Sequence, residues 1–221
     1  MAQILLIRHG QSANNAKPES ERIADPGLTD IGTKQALATA QWLKAAKVSL
    51  LYCSPFLRSL ESIRPAAELT NLNPMVRPDL CEQGGCYSGY DDNKIGQPGM
   101  TRNELRQRYP SWSLDASIGE QGWWNREYET HQQAQRRAAS LVEWLRSEFE
   151  NSDERIALMI HADIKRRILE EILAAKKTPF ECPWLGPLFN VGVTCLSFAA
   201  DQWTIHSLNA TNHLPNEWLT A

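Results

Sequence analysis

The sequence predicts an α/β fold, a three-layer α/β/α sandwich with a mostly parallel central sheet. Three observations predict it. Residues 4–7, 50–53 and 156–160 are short, unbroken apolar runs of the kind covered on both faces of a parallel sheet. Each leads, directly or after a loop, into a stretch whose apolar positions recur at helical spacing. Strand-like and helix-like segments alternate, as they do where helices cross over between parallel strands. At roughly 100–200 residues per domain, the 221 residues suit one large domain, and we read residues 1–221 as a single domain with an insertion near 90–130.

The elements follow in order. Residues 4–7 form the first strand, and after a loop Thr29 or Asp30 caps a helix with Ala36, Leu37, Ala40 and Leu43 on its inner side. Residues 50–53 form a second strand. It runs straight into a helix opened by Ser54 and Pro55, with Phe56, Leu60, Ile63 and Ala67 on one face. Pro65 has no N–H to donate, which predicts a kink or restart near Arg64. From residue 84 to 129 the rhythm breaks. Gly84, Gly85, Gly89, Gly96, Pro98, Gly99, Pro110 and Gly119, with Trp112, Trp123 and Trp124, predict loops and short helices roofing the sheet.

The clearest helix covers residues 131–149, with Ala134, Ala138, Leu141, Val142, Leu145 and Phe149 on one stripe. Residues 156–160 form another buried strand, followed by a helix carrying Ile164, Ile168, Leu169, Ile172 and Leu173. Lys176 and Lys177 suit its C-terminal dipole and Pro179 stops it. Residues 193–198 and 203–208 flank a polar turn and close the chain as a hairpin.

Composition narrows the function classes. Hydrophobic residues make up 42% and charged residues 22%, ordinary globular usage that excludes extended disorder. A net charge of −3 gives no general attraction to nucleic acid or to an anionic membrane. The apolar runs fall far short of the ~20 residues of a membrane-spanning helix, and Arg8 cuts off the first before it could serve as a secretory signal. Five cysteines (Cys53, Cys81, Cys86, Cys182 and Cys195), with no Cys-x-x-Cys pair, predict reduced thiols and a cytoplasmic protein.

Chemistry gathers at the strand ends. His9 follows the first strand and His161 follows residues 156–160, so both project into the crevice at the carboxyl edge of the sheet. Arg8 precedes His9, and Arg58 lies in the first turn after the second strand. Free N–H groups at such turns favour an anion. Two arginines and two histidines at three strand ends can surround one phosphate, with guanidinium forks on its oxygens. Singly, each has a plainer explanation. His9 could be a satisfied structural histidine, and Arg58 could pair with Glu61 or Glu82. The ensemble is what points to phosphate.

That ensemble resembles the histidine phosphatase superfamily, also called the phosphoglycerate mutase-like superfamily. Residues 4–15, ILLIRHGQSANN, look like its signature, with Arg8-His9-Gly10, Ser12 and Asn15 in place. Asp25-Pro26-Gly27-Leu28-Thr29, then Gly32, Gln35 and Ala36, is similar to a second block, and Ser54-Pro55 with Arg58 to a third. Leu80 and Glu82 resemble the acid-bearing block, His161 the late histidine, and residues 190–198 and 208–215 the closing segments. Three departures stand out: Glu82-Gln83-Gly84-Gly85-Cys86 is one residue short of the acid block, Ala162 replaces a glycine, and Pro65 interrupts a helix.

The resemblance implies a metal-independent phosphatase acting on a phosphate monoester through a phosphohistidine. His9 is the nucleophile, held by a backbone carbonyl on its other ring nitrogen. Arg8, Arg58, a protonated His161, Asn15 and the Ala162 position bind the phosphate. Glu82 is the general acid and then the general base, unless it merely neutralises Arg8 or Arg58. No metal and no cofactor is expected. The partner is a phosphorylated small molecule, not nucleic acid or membrane, and a homodimer is compatible with this reading.

The runner-up is a 2,3-bisphosphoglycerate-dependent phosphoglycerate mutase, whose longer middle region with paired arginines and a lysine has no convincing counterpart here. A non-catalytic phosphate-binding module ranks below it, because bare binding needs no nucleophile. In the insertion, Lys94, Arg102, Arg106, Arg108 and Arg126 could grip a second anionic group, but a solvated face suits most of them. Trp112, Trp123 and Trp124 stack on a substrate ring or pack in the core.

Overall fold

A computed structural model describes residues 1–174 and 185–221. The predicted helix stop at Lys176, Lys177 and Pro179, and Cys182, lie outside the described residues. The strands are β1 (Gln3–Arg8), β2 (Leu50–Cys53), β3 (Met75–Val76), β4 (Tyr87–Ser88), β5 (Ile95–Gly96), β6 (Ser113–Leu114), β7 (Arg155–Ile160), β8 (Val193–Ala199) and β9 (Gln202–Ala210). The helices are α1 (Asp30–Ala45), α2 (Leu57–Thr70), α3 (Arg102–Arg108), α4 (His131–Phe149) and α5 (Ala162–Leu173).

Among the described residues the main sheet runs β6-β3-β2-β7-β1-β8-β9, and β4-β5 form a small separate hairpin. The pairings β6-β3, β3-β2, β2-β7 and β7-β1 are parallel, whereas β8 joins β1 antiparallel and β9 joins β8 antiparallel. The mostly parallel sheet follows from the alternation in the sequence, because helical crossovers return each strand in the same direction. Alternate residues of β1 feed opposite cores. Leu5 and Ile7 pack with α1 and α2, while Ile4 and Leu6 pack with α4 and α5. Both faces are covered, which is why β1 and β7 read as continuous apolar runs. The carboxyl ends of β1, β2 and β7 therefore open on the same edge.

Local signals explain the helix starts. Thr29 caps α1 by accepting from Gly32 N, and Thr130 with Gln133 closes a reciprocal capping box on α4. No side chain of its own caps α2; the Asp25 carboxylate, from a distant loop, accepts from Leu57 N at 2.8 Å. The turn between β8 and β9 places Ala200 and Asp201 at φ 48° and 60°, the left-handed pair that a tight hairpin requires.

Two expectations need correction here. Leu37 is 50% exposed, because the buried stripe of α1 runs through Gln35, Ala36, Thr39, Ala40 and Leu43 and turns position 37 outward. Pro65 does not restart its helix. α2 is one element from Leu57 to Thr70, since a single missing N–H is compatible with a helix whose other face is locked into the core through Leu60, Ile63, Ala66 and Ala67. The four described cysteines, Cys53, Cys81, Cys86 and Cys195, are free. Among the described residues no helix is long and apolar enough to cross a membrane.

Candidate active site

The edge where β1, β2 and β7 end carries a polar cavity of about 170 Å³. Arg8, His9, Asn15, Phe56, Arg58 and Glu82 line it, together with Asp163 at the start of α5. His9 is bound to the sheet by its own N–H, which donates to Ile160 O of β7 at 2.9 Å. Its ring Nδ1 lies 2.6 Å from Gly10 O. A carbonyl can only accept, so Nδ1 bears the proton and Nε2 keeps its lone pair. Gly10 is itself pinned, because its N–H donates to Ser62 Oγ at 2.9 Å. The ring orientation expected of a nucleophile is thus built from backbone.

Arg58 Nε donates to His9 Nε2 at 3.2 Å. Burial, with the cations Arg58 and Arg8 beside it, holds His9 well below the usual imidazole range, so the ring is neutral at physiological pH. His161 is fully buried with its ring centroid 5.0 Å from that of His9. Among the described residues neither of its ring nitrogens has a partner, and the same is true of Arg8 Nε. Buried nitrogens without partners are costly. Arg8 lines the cavity, while His161 does not and packs behind its wall against His9 and Phe56.

His161 as a cation is corrected for the free site. Burial and the neighbouring Arg58, His9, Arg137 and Arg8 push its pKa well below the ordinary value, leaving the ring neutral until a bound anion offsets them. The partner of Arg58 is corrected as well. Its guanidinium meets neither Glu61 nor Glu82 but Asp25, Nη1 to Oδ1 at 3.9 Å, and its Cζ stands 4.0 Å over the Phe56 ring. Burial raises the Asp25 carboxyl to about 6 against the opposing pull of Arg58. Glu61 instead accepts from Leu28 N.

Glu82 lines the cavity and caps α5. Its Oε1 accepts from the N–H groups of Gln83, Asp163 and Ile164 at 2.8, 3.1 and 3.0 Å, while Oε2 makes one longer contact to Asp163 N at 3.2 Å. One oxygen is anchored and the other is left to carry a proton. Burial first, and then the Asp163 carboxylate, raises its pKa against those backbone bonds. No ion pair joins it to Arg8 or Arg58 among the described residues. Asn15 Oδ1 accepts from Ser12 N and Ser12 Oγ at 3.0 Å each, which fixes the amide orientation and frees the NH₂. Ala162 does not line the cavity. Its N–H is the first of α5 and has no partner among the described residues, because Glu82 takes the next two.

The insertion is not the roof. The rim comes from Ser12, residues 14–15 and 22–24, Glu19, and residues 87–89, and nothing from 90–130 lines the cavity. Lys94 pairs with Glu19 of the rim at 3.6 Å. Trp123 and Trp124 pack underneath instead: Trp123 meets Phe56 edge-on at 4.8 Å, and Phe56 meets His161 at 5.0 Å. Trp124 lies so close over Gly85, at φ +70°, that a Cβ there would fall 2.0 Å from the indole. The shortened acid block thus turns through Gly84, packed on Tyr128 and Tyr87, and Gly85, pressed on Trp124, with Glu82 at the sheet edge. Trp112 stacks on Tyr109 at 4.3 Å. Arg102 bonds the carbonyls of Ile118 and Asp115, and Arg126 covers the Trp124 ring.

Several supporting residues had no role in the sequence reading. Arg137 of α4 donates to the carbonyls of Asp79, Cys81 and Glu82 and grips Glu129 through both oxygens, at 2.8 and 2.6 Å. Together they brace the acid loop. Both are buried, so removing one leaves the other charge unpaired. The Arg137→Leu variant is expected to lose about 3–5 kcal/mol of unfolding free energy, read from urea denaturation followed by tryptophan fluorescence; an unmoved midpoint would contradict it. Asn190 Nδ2 donates to His9 O at 2.9 Å, and Asn190 Oδ1 accepts from Thr220, which Gln35 ties to α1. Arg137 and the acid loop, and Asn190 and His9, are distant in sequence, and only the Asp25, Gln35 and Asn190 motif positions offered any signal.

Comparisons with known proteins agree with this geometry. Residues 4–211 match the family model described as the histidine phosphatase superfamily (branch 1). The chain is 29% identical over 111 residues to phosphoserine phosphatase 1 of Hydrogenobacter thermophilus, a match covering 50% of this chain and 48% of that protein. It is 24% identical to the metal-independent phosphoserine phosphatase of Arabidopsis thaliana over 97% of this chain and 84% of that one. Its fold matches the solved mycobacterial glucosyl-3-phosphoglycerate phosphatase with a TM-score of 0.64 at 23% identity, covering 95% and 99% of the two chains. Because that family model spans residues 4–211, the chain belongs to the histidine phosphatase superfamily, branch 1.

Proposed function

We propose that this protein is a metal-independent phosphatase that hydrolyses a small phosphate monoester through a phosphohistidine on His9. The observation that carries the reading is the His9 ring: Nδ1 tied to Gly10 O, and a neutral Nε2 facing the cavity beside the unpartnered ring of His161. In the first step Arg58 exchanges its bond to Nε2 for one to the phosphate. Nε2 then attacks phosphorus, the bond from phosphorus to the ester oxygen breaks, and Glu82 Oε2 protonates the leaving alkoxide. In the second step the Glu82 carboxylate takes a proton from water, which attacks the phosphohistidine and releases inorganic phosphate. Arg8, Arg58, His161 and the Asn15 amide receive the charge on the transferring oxygens.

Size supports a small substrate. The cavity holds about 170 Å³, below the ~300–1,000 Å³ of sites for drug-sized ligands. The names of the relatives, phosphoserine and glucosyl-3-phosphoglycerate phosphatases, place polar metabolite phosphates first in the assay panel.

The test is hydrolysis of p-nitrophenyl phosphate and of such a panel in EDTA. Turnover without bisphosphoglycerate supports the phosphatase, strict dependence on it would make the protein a mutase, and no turnover across the panel would leave a binding module. Within this reading Arg58→Ala should slow turnover about 10²–10³-fold, the usual loss for one preorganised charge-stabilising donor. Arg64→Ala should change little, because Arg64 does not line the cavity and pairs with exposed Glu68. Equal effects of the two substitutions would count against the site.

A further inference from the structure

One buried cation takes no part in the reaction just described. Lys165 lies on α5 one turn past His161, fully buried. Its inward-facing helix neighbours Ile164, Ile168 and Leu169 are aliphatic, and an aliphatic side chain at 165 would avoid the desolvation that an ammonium incurs. Among the described residues its Nζ makes a single hydrogen bond, to Gly192 O at 2.7 Å.

Gly192 ends the turn that holds the nucleophile strand. Leu188 O accepts from Arg8 Nη1, Val191 N donates to Arg8 O at 3.0 Å, and Asn190 Nδ2 donates to His9 O at 2.9 Å. Val191 stands at φ 50°, a left-handed conformation that β-branched residues rarely adopt and that persists only where neighbours hold it. Lys165 is one of those neighbours, on the side of the turn facing α5.

The charges around Lys165 are one-sided. Arg8 faces it from β1. His161 precedes it on its own helix and is neutral. The α4 surface packed on α5 is apolar, through Ala138, Leu141 and Leu145, and Arg137 of α4 is committed to Glu129 and the acid loop. Burial and the repulsion of Arg8 bring the Lys165 amine down to about 7. An anion held by Arg8 offsets that repulsion.

Resting on the phosphate-site reading above, we propose that Lys165 is a positioning residue. Its ammonium, locked on the Gly192 carbonyl, keeps Arg8 and His9 in register and adds buried positive charge behind a bound phosphate. By linkage, an anion that favours the ammonium binds more tightly where the amine is protonated. The advantage is therefore present below about 7 and fades as pH rises through the higher value of the complex.

Sulfate, which does not titrate between pH 5 and 9, isolates this effect. Calorimetry of sulfate binding to the wild type, Lys165→Met and Lys165→Gln at pH 6 should show both variants about tenfold weaker, the equivalent of a one-unit rise of the lysine in the complex. The gap should close by pH 9. Glutamine keeps a donor for Gly192 but no charge, so wild-type affinity in Lys165→Gln at pH 6 would overturn the role of charge, and wild-type affinity in both variants would overturn the proposal entirely. Should either variant fail to fold, ¹³C-lysine NMR of the wild type decides: the resonance titrating near pH 7 should move its midpoint upward on sulfate saturation, and a stationary midpoint overturns the proposal. A wild type that binds no sulfate at any pH would sink the phosphate site itself, a result distinct from all of these.

Discussion

His9→Ala is expected to cut turnover of p-nitrophenyl phosphate by about 10⁴-fold or more, the scale of losing the nucleophile of a covalent mechanism. No other side chain at the cavity can replace it. The His161 ring is neutral and adjacent but among the described residues receives no carbonyl bond to select its tautomer, and Cys53 and Cys86 are thiols that burial pushes far above the ordinary thiol range, away from thiolate. The variant should still bind sulfate, because Arg8, Arg58 and Asn15 remain. Mass spectrometry of an acid-free quenched reaction should find the phosphoryl group on the peptide containing His9 in the wild type and on no peptide in the variant. An adduct on serine or cysteine, or a variant retaining a tenth of the activity, would end the phosphohistidine mechanism.

Glu82→Gln carries the second large effect, a loss of about 10²–10⁴-fold with a poor leaving group, the usual contribution of a general acid. Glutamine is isosteric, and its Oε1 can keep the three N–H contacts that anchor the side chain at the start of α5. What is lost is the proton on the second oxygen. With p-nitrophenyl phosphate, whose leaving group needs little protonation, phosphorylation of His9 should survive while hydrolysis of the intermediate slows, so the phosphoenzyme should accumulate.

The pH profile adds a sign. Burial and Asp163 raise the Glu82 pKa, so the acid form persists above the ordinary carboxylate range and activity on alkyl phosphates should fall as pH rises through that raised value. The lowered His9 pKa puts loss of the nucleophile well to the acid side of the ordinary imidazole. Equal rates for the variant and the wild type on alkyl phosphates, across the whole profile, would move the acid role to another group; Asp163 stands next in line at the cavity.

Much of this site was legible because parallel strands place their carboxyl ends on one edge. Once residues 4–7, 50–53 and 156–160 read as strands of one sheet, Arg8, His9, Arg58 and His161 had to converge, whatever the loops did. A backbone carbonyl on the second ring nitrogen of His9 was expected only from the family resemblance, and the structure identified it as that of Gly10. The start of α1 was legible because its cap, Thr29, lies beside the helix in the chain.

The rest depended on contacts that chain proximity does not encode. The sequence alone determined which side chains could reach a phosphate and, through Glu82, which could hand over a proton. Only the tertiary structure decided the state in which they wait. It put Asp25 rather than Glu61 on Arg58, placed Arg137 and Glu129 behind the acid loop, and sent Trp123 and Trp124 under the site instead of over it. It also left His161 neutral and buried Lys165 on the Gly192 carbonyl near Arg8. The physical reason is that ionisation and packing respond to every neighbour within a few ångströms. Burial removes the water that would otherwise make each charge independent of the others.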